Sequence, residues 1–111
     1  SITANRASTP FLITTKEFRN RIRITGQVMS PQSVAFQPGM TVLDLVLLAG
    51  GLTDFAADGR ATLTRMIDGQ YQSYSLDLGA MLKDGDMSAN HALQPGDVIS
   101  IPRKQLFRGE L

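Results

Sequence analysis

The stretch TVLDLVLLAGG, residues Thr41–Gly51, decides the fold of this chain. Its apolar residues recur at the spacing i, i+3, i+4, i+7, which predicts one buried helix face, formed by Val42, Leu45, Val46 and Ala49. Thr41 and Asp44 have the spacing of a capping box at the start of the helix. Gly50–Gly51 should end it, because glycine adopts a left-handed backbone at low steric cost.

The helix contains more apolar residues than one buried face requires. Seven of the nine residues from 41 to 49 are apolar, whereas a single core-facing stripe needs fewer. The surplus residues Leu43, Leu47 and Leu48 are our candidate interface. Two interpretations stay open: a helix sunk in a broad core or carrying tolerated surface leucines, and a contact between subunits or domains.

Strand patterns surround this helix on both sides. The predicted strands are Arg21–Val28, Ser33–Phe36, Ala61–Ile67, Tyr71–Leu76 and Val98–Ile101. Gly26 indicates a bulge or a close backbone approach, and Asp68–Gly69 predicts a hairpin with a type I′ turn. A short helical turn is expected at Leu78–Lys83. This order predicts an α+β fold, a mixed sheet of about five strands with one main helix on one face, as in a ubiquitin-like β-grasp.

Composition narrows the functional classes. The chain has 111 residues, 42% of them hydrophobic and 19% charged, with a net charge of +1. This fits one small domain, and the near-zero charge gives little support for nucleic-acid binding. Without cysteine there is no disulfide or thiol chemistry, and no apolar run approaches the roughly 18 residues of a membrane span. The polar start and abrupt end favour a piece excised from a longer protein, so the missing signal peptide does not indicate a compartment.

Three motifs in order carry a family resemblance: TGQVMSP, PGMTVLDLVLLAGGLT and LQPGDVISIP. Together they resemble the SLBB domain, a soluble-ligand-binding β-grasp, and above all the copies in bacterial outer-membrane polysaccharide export proteins. The resemblance covers about Arg21 to Arg103. It implies a β-grasp fold, no catalysis, no cofactor and a periplasmic location. One turn departs from the family pattern, since Pro31–Gln32 stands where the family usually has Pro-Gly, so we expect a different first turn.

The resemblance also implies a domain division and a set of partners. Residues 1–20 would be a linker with a lead-in strand at Phe11–Phe18, residues 21–103 the SLBB domain, and residues 104–111 a tail. The implied partners are other copies or sister domains of the same exporter, with a polysaccharide as a possible ligand. The whole protein would associate with the outer membrane through parts that lie outside this sequence.

Four residues are candidates for ligand contact: Arg21, Arg23, Tyr71 and Tyr74. The arginines alternate along one predicted strand, with Arg19 before them, and could form a basic row, which would lie near Arg103 and Lys104 if the first and last strands pair. Such a row could contact an acidic polymer, and tyrosine rings could stack on sugars. The alternatives are a solvated strand face and ordinary cross-strand packing of the tyrosines.

Catalytic and metal-binding interpretations have weak support. Asp77, Asp84 and Asp86 lack the ligand spacing of a calcium loop, and no nucleophile or oxyanion donor lies near them in sequence. His91 is the only histidine, and it lies in a predicted loop without visible metal-binding partners. Gly50–Gly51 follows a helix instead of preceding one, which disfavours a phosphate site. We therefore expect no catalytic residue, no metal and no cofactor.

Overall fold

The computed structural model describes residues 20–105. These form five strands: β1 (Arg21–Gly26), β2 (Gln32–Ala35), β3 (Ala61–Ile67), β4 (Gln70–Leu76) and β5 (Val98–Ile101). Two α-helices are present among them, α1 (Val42–Leu48) and α2 (Leu78–Asp84), with short 3-10 helices at Asp58–Arg60 and Met87–Ala89. The predicted lead-in strand Phe11–Phe18, Arg19 and the end of the predicted tail lie outside the described residues.

The five strands form one mixed sheet in the order β2-β1-β5-β3-β4. β1 and β5 pair in parallel, and the other neighbouring strands pair antiparallel. The C-terminal strand therefore lies in the middle of the sheet, between the two antiparallel hairpins. This arrangement confirms the predicted α+β fold with a β-grasp-like mixed sheet.

Helix α1 begins and ends as its sequence predicts. The Thr41 side chain accepts a hydrogen bond from the Asp44 N–H, and the Asp44 carboxylate accepts one from the Thr41 N–H, which completes the capping box. Gly50 and Gly51 have φ angles of +82° and +89° and follow the last turn. The predicted buried face, Val42, Leu45, Val46 and Ala49, has no exposed surface.

Gly26 lies beside Ile101 at the end of the parallel pairing of β1 with β5. Its φ of +93° is in the left-handed region, and a Cβ atom there would collide with the backbone carbonyl oxygen of Ile101. The next residue, Gln27, donates its N–H to that same carbonyl at 2.9 Å. The close backbone approach predicted at Gly26 is confirmed, and only glycine fits this crossing of the two strands.

The second hairpin and the second helix form where the sequence patterns predict them. Asp68 (φ +52°) and Gly69 (φ +82°) form the turn between β3 and β4, as a type I′ turn requires. Helix α2 has seven residues where one short turn was expected, and the Asp77 side chain caps its start. Gln32 is the first residue of β2 and has no positive φ, so the departure at Pro31–Gln32 introduces no strained residue.

The two faces of the sheet differ in character. The side chains on one face enter the core together with those of α1 and α2; the strand residues buried there include Ile22, Ile24, Leu63, Leu76, Ile99 and Ile101. Because successive strand residues point to opposite sides, the intervening residues form the other face. All of these are half-buried or exposed. We call this second surface the open face.

Candidate functional site: an apolar groove and an open sheet face

An apolar groove runs between the exposed side of α1 and the outer strand β2. It has a volume of about 660 Å³. Its lining residues come from β2, from the turn before the helix and from the helix itself: Val34, Ala35, Gln37, Met40, Asp44, Leu47 and Leu48. Leu47 is 63% exposed and Leu48 is 54% exposed. Two of the three leucines predicted as an interface therefore do face solvent, on the wall of this groove.

Hydrogen bonds hold the helix and the strand on either side of the groove. The Gln32 side-chain amide donates to the backbone carbonyl of Leu48 at 3.2 Å and to that of Ser30 at 3.0 Å. At the other end, Oδ2 of Asp44 accepts from the N–H and the hydroxyl of Thr41. The Gln32 contact therefore links β2 to the end of α1, whereas the bonds between Asp44 and Thr41 lie within the helix cap.

Leu43 does not belong to this groove. It is half-buried and packs against the hydrophobic core, and its N–H donates a 2.8 Å hydrogen bond to the Asn90 side chain. Leu43 is about 140° from Leu48 around the helix axis at 100° per residue, so the two face different parts of the molecule. The structure therefore places Leu47 and Leu48 in the groove but not Leu43.

The arginine row is placed differently from the prediction. Arg21 and Arg23 lie on the open face of β1, as the alternation indicated. Nε and Nη2 of Arg21 donate to the Ser33 hydroxyl and carbonyl, both at 2.7 Å. β5 runs parallel to β1 with Arg23 beside Val98, so Arg103 lies five residues further, about 16 Å along the strand direction. The expected proximity of the row to Arg103 and Lys104 was wrong.

The two tyrosines lie on opposite faces of β4. Tyr71 is paired with Met66 on the open face, whereas Tyr74 is paired with the buried Leu63 on the helix side. Tyr74 lines a shallow pocket together with Leu63, Arg65 and His91. Tyr71 and Tyr74 therefore cannot contact one ligand together with the arginines, and the four predicted contact residues do not form a single site.

The open face carries small hydroxyl side chains in two rows. Neighbouring register positions across the strands place Ser33, Arg23, Val98, Thr64 and Ser73 in one row, and Thr25, Ser100, Thr62 and Ser75 in the next. Hydroxyls within a row form hydrogen bonds with each other; the Thr64 and Ser73 hydroxyl oxygens, for example, are 3.0 Å apart. The result is a flat polar surface that the sequence analysis did not predict, because it depends on the order of the strands.

A known domain family matches most of this sequence. The model of the SLBB domain matches residues 20–101, nearly all of the described residues. This chain belongs to the SLBB domain family. The match confirms the resemblance drawn from the three motifs, and it indicates a soluble-ligand-binding domain of the kind found in periplasmic polysaccharide export proteins. SLBB domains are known as non-catalytic binding and export domains.

The PGD motif of this SLBB domain supplies an ion pair that sequence reasoning missed. Asp97 is fully buried, and its carboxylate accepts from Nε and Nη2 of Arg65 at 3.0 and 2.8 Å. The same carboxylate accepts the N–H of Gln94 at 2.8 Å. The hydrogen bond to Asp97 raises the pKa of the Arg65 guanidinium, although burial opposes this. The pair joins β3 to the turn before β5, so its role is structural.

Two of the three aspartates considered for catalysis or a cation site, Asp77 and Asp86, cap helices. Asp77 accepts from the Ala80 N–H, and Asp86 accepts from the Ser88 N–H, which lowers the pKa of Asp86. His91 is exposed, and its backbone carbonyl accepts a hydrogen bond from the N–H of Val42 at the start of α1.

Within residues 20–105, no group of three or more potential ligand side chains could hold a metal ion. In the same residues, no helix has the length and apolar character to cross a membrane.

Proposed function

We propose that this SLBB domain is a non-catalytic periplasmic domain of a polysaccharide export protein, and that it contributes to assembly of the conduit for capsule or exopolysaccharide. Its partners are other copies or sister domains of the same exporter. The exporter associates with the outer membrane through other parts of the protein. The groove between α1 and β2 provides the contact surface.

The apolar wall of the groove is the observation that carries this proposal. Leu47 and Leu48 are exposed next to Val34 and Met40, and burying a leucine side chain contributes about 1.5–3 kcal/mol. Adjacent exposed apolar side chains of this kind are candidates for a protein–protein contact. The capping box at Thr41 and Asp44 defines the start of the helix that carries both leucines.

The test introduces Leu47→Asp, which places a charge in the groove, into the exporter that carries this domain. Sedimentation velocity in mild detergent then measures the size of the assembled species. Leu82→Asp is the matched control, because Leu82 is also an exposed helical leucine, at 41%, but lies on α2 and outside the groove. We expect Leu47→Asp to shift the exporter to smaller species and Leu82→Asp to leave assembly intact. Wild-type sedimentation of the Leu47→Asp exporter would show that the groove is not an assembly contact.

A second candidate function is binding of the saccharide itself on the open face. The hydroxyl rows favour it, because serine and threonine can both donate and accept hydrogen bonds, as sugar hydroxyls also do. Arg23 lies within one of these rows, and Arg21 and Tyr71 lie beside them on the same face. They are spread over about 14 Å from β1 to β4, so the ligand would be an extended polymer chain and not a single sugar.

An NMR titration of the chain with acidic oligosaccharides separates this function from the first. We expect shifts at open-face residues, and weaker binding in Tyr71→Ala. Tyr74→Ala is the control, since Tyr74 lies on the opposite side of the same strand. No shift at millimolar sugar, or equal losses in the two tyrosine variants, would eliminate open-face binding.

A further inference from the structure

A pocket lies between the loop that follows α1, the helix α2 and the chain that follows β5. It has a volume of about 340 Å³. Residues from all three segments line it, among them Leu52, Thr53, Asp54, Ala56, Leu82 and Lys104. Leu82 is 41% exposed on one side of the pocket, whereas Ala56 is buried. The described residues thus leave an apolar side chain of α2 open to solvent beside the point where the chain leaves the domain.

The chain after β5 is held firmly beside the loop as far as Lys104. The N–H of Ala57 donates to the carbonyl of Pro102 at 2.8 Å, and the N–H of Lys104 donates to the carbonyl of Phe55 at 2.7 Å. These two bonds flank an antiparallel bridge between the segments. The Arg103 guanidinium also lies 4.3 Å from the centroid of the Phe55 ring. Both the position and the direction of this segment are therefore fixed.

The direction of the segment leads toward the pocket. In an antiparallel pair, the chain past Lys104 heads toward the residues that precede Phe55. Those are residues 52–54, and all three line the pocket. Leu106 and Phe107 follow Lys104 by two and three residues, and at about 3.3 Å per residue an extended chain carries them about 7–10 Å further. The next two apolar side chains of the sequence therefore come within reach of the pocket.

The size of the pocket favours a segment of the same chain over a separate partner. Eight residues line it, whereas a standard protein–protein interface uses about 20–30 residues on each side. A tethered segment needs less contact, because a short linker gives it an effective concentration in the millimolar range. A small apolar pocket can thus hold the side chains that directly follow it in sequence.

The charges around the pocket also match the sequence that follows Phe107. Asp58 is paired with Lys83 at 3.1 Å, whereas Asp54 has no ion-pair partner within residues 20–105. Arg108 comes directly after Phe107 and would supply a cation beside Asp54. An exposed pair of this kind contributes little free energy, so it would orient the segment while the apolar contact holds it.

We propose that Leu106 and Phe107 of this chain dock in the pocket, against Leu52 and Leu82. The folded unit then extends past residue 101, where the match to the SLBB domain ends. The docking is independent of the proposed assembly contact, because the pocket and the groove beside α1 share no lining residue.

Maleimide labelling of Leu82→Cys in the 111-residue chain tests the docking, because the chain has no cysteine of its own. Phe107→Ser is added to release the segment. Leu111→Ser is the matched control, since it removes an apolar side chain from the same segment beyond the docked residues. Far-UV circular dichroism first verifies that all three chains fold. We expect Phe107→Ser to speed labelling about tenfold, equivalent to about 1.4 kcal/mol of docking free energy, and Leu111→Ser to leave the rate unchanged.

Equal labelling rates in the three chains would overturn the proposal, and so would an equal increase in the two serine variants. Protection of Leu82→Cys that rises with protein concentration would show that a second molecule covers the pocket, which also overturns it. Nuclear Overhauser effects in the unsubstituted chain test the contact with Leu82 in place. We expect them between the Phe107 ring and the methyl groups of Leu52 and Leu82, and their absence would contradict the docking.

Discussion

Replacement of Asp97 by alanine removes a fully buried carboxylate that accepts three hydrogen bonds. Two come from the Arg65 guanidinium and one from the Gln94 N–H. In Asp97→Ala, the guanidinium keeps one hydrogen bond, to the Ala92 carbonyl at 3.1 Å. The positive charge would then lie in a largely buried position without its counter-charge, because only 17% of the Arg65 side chain is exposed.

The expected loss follows from this geometry. Removing one partner of a buried ion pair costs about 3–5 kcal/mol, because the remaining charge is left unpaired. The residual exposure of Arg65 lets water reach part of the guanidinium, which places the loss near the lower limit, at about 3 kcal/mol. The total free energy of unfolding of a small domain is about 5–15 kcal/mol. The loss is therefore a large fraction of the stability.

Urea denaturation followed by far-UV circular dichroism measures this loss. With a slope of about 1 kcal/mol per molar urea, the midpoint should fall by about 3 M. Lys83→Ala is the control, because it removes one partner of the exposed Lys83–Asp58 pair, where Lys83 is 74% exposed. Such a pair contributes at most about 1 kcal/mol. A loss below about 1 kcal/mol in Asp97→Ala, or equal losses in the two variants, would refute this account of the PGD motif.

The same denaturation assay tests two further predictions. Gly26→Ala should lose about 2–4 kcal/mol, since the new Cβ meets the Ile101 carbonyl and φ is +93°. Gly69→Ala, at φ +82° with no atom within 4 Å of the new Cβ, should lose only about 1 kcal/mol; equal losses would exclude the close approach at Gly26 as the cause. Thr41→Ala should lose about 1 kcal/mol through the helix cap and Thr41→Ser much less, and an unchanged midpoint in Thr41→Ala would show that the capping box adds no stability.

Local chemistry made most of the fold predictable. The capping box at Thr41 and Asp44, the apolar spacing of α1 and the Asp68–Gly69 turn each depend on residues only a few positions apart. Such signals act within one element, so they are visible before the elements are assembled. The family motifs then indicated a β-grasp with a mixed sheet of about five strands. The observed five-stranded mixed sheet agrees with that prediction.

The functional surfaces were harder to predict because they depend on contacts between distant segments. Leu43 is four residues before Leu47, but it packs partly into the core, and its N–H donates to the side chain of Asn90, 47 residues away. The pairing of Arg65 with Asp97 spans 32 residues. The distance from Arg23 to Arg103 depended on whether β1 and β5 pair in parallel, which their compositions do not reveal.

One error could have been avoided from the sequence. Tyr71 and Tyr74 are three residues apart, and a strand places residues at odd spacing on opposite faces. A hairpin with these two tyrosines therefore cannot present both to one ligand on a flat sheet. The structure confirms this separation, since Tyr71 pairs with Met66 and Tyr74 with the buried Leu63.

The central claim is that the groove is covered in the assembled exporter. Maleimide labelling of Leu47→Cys measures this without a charged substitution, and Leu82→Cys on α2 is the reference site, since this chain has no other cysteine. Our account predicts that Leu47→Cys reacts readily in the isolated chain and at least about tenfold more slowly in the assembled exporter, while Leu82→Cys reacts alike in both. Equal labelling of Leu47→Cys in the isolated chain and in the assembled exporter would contradict it.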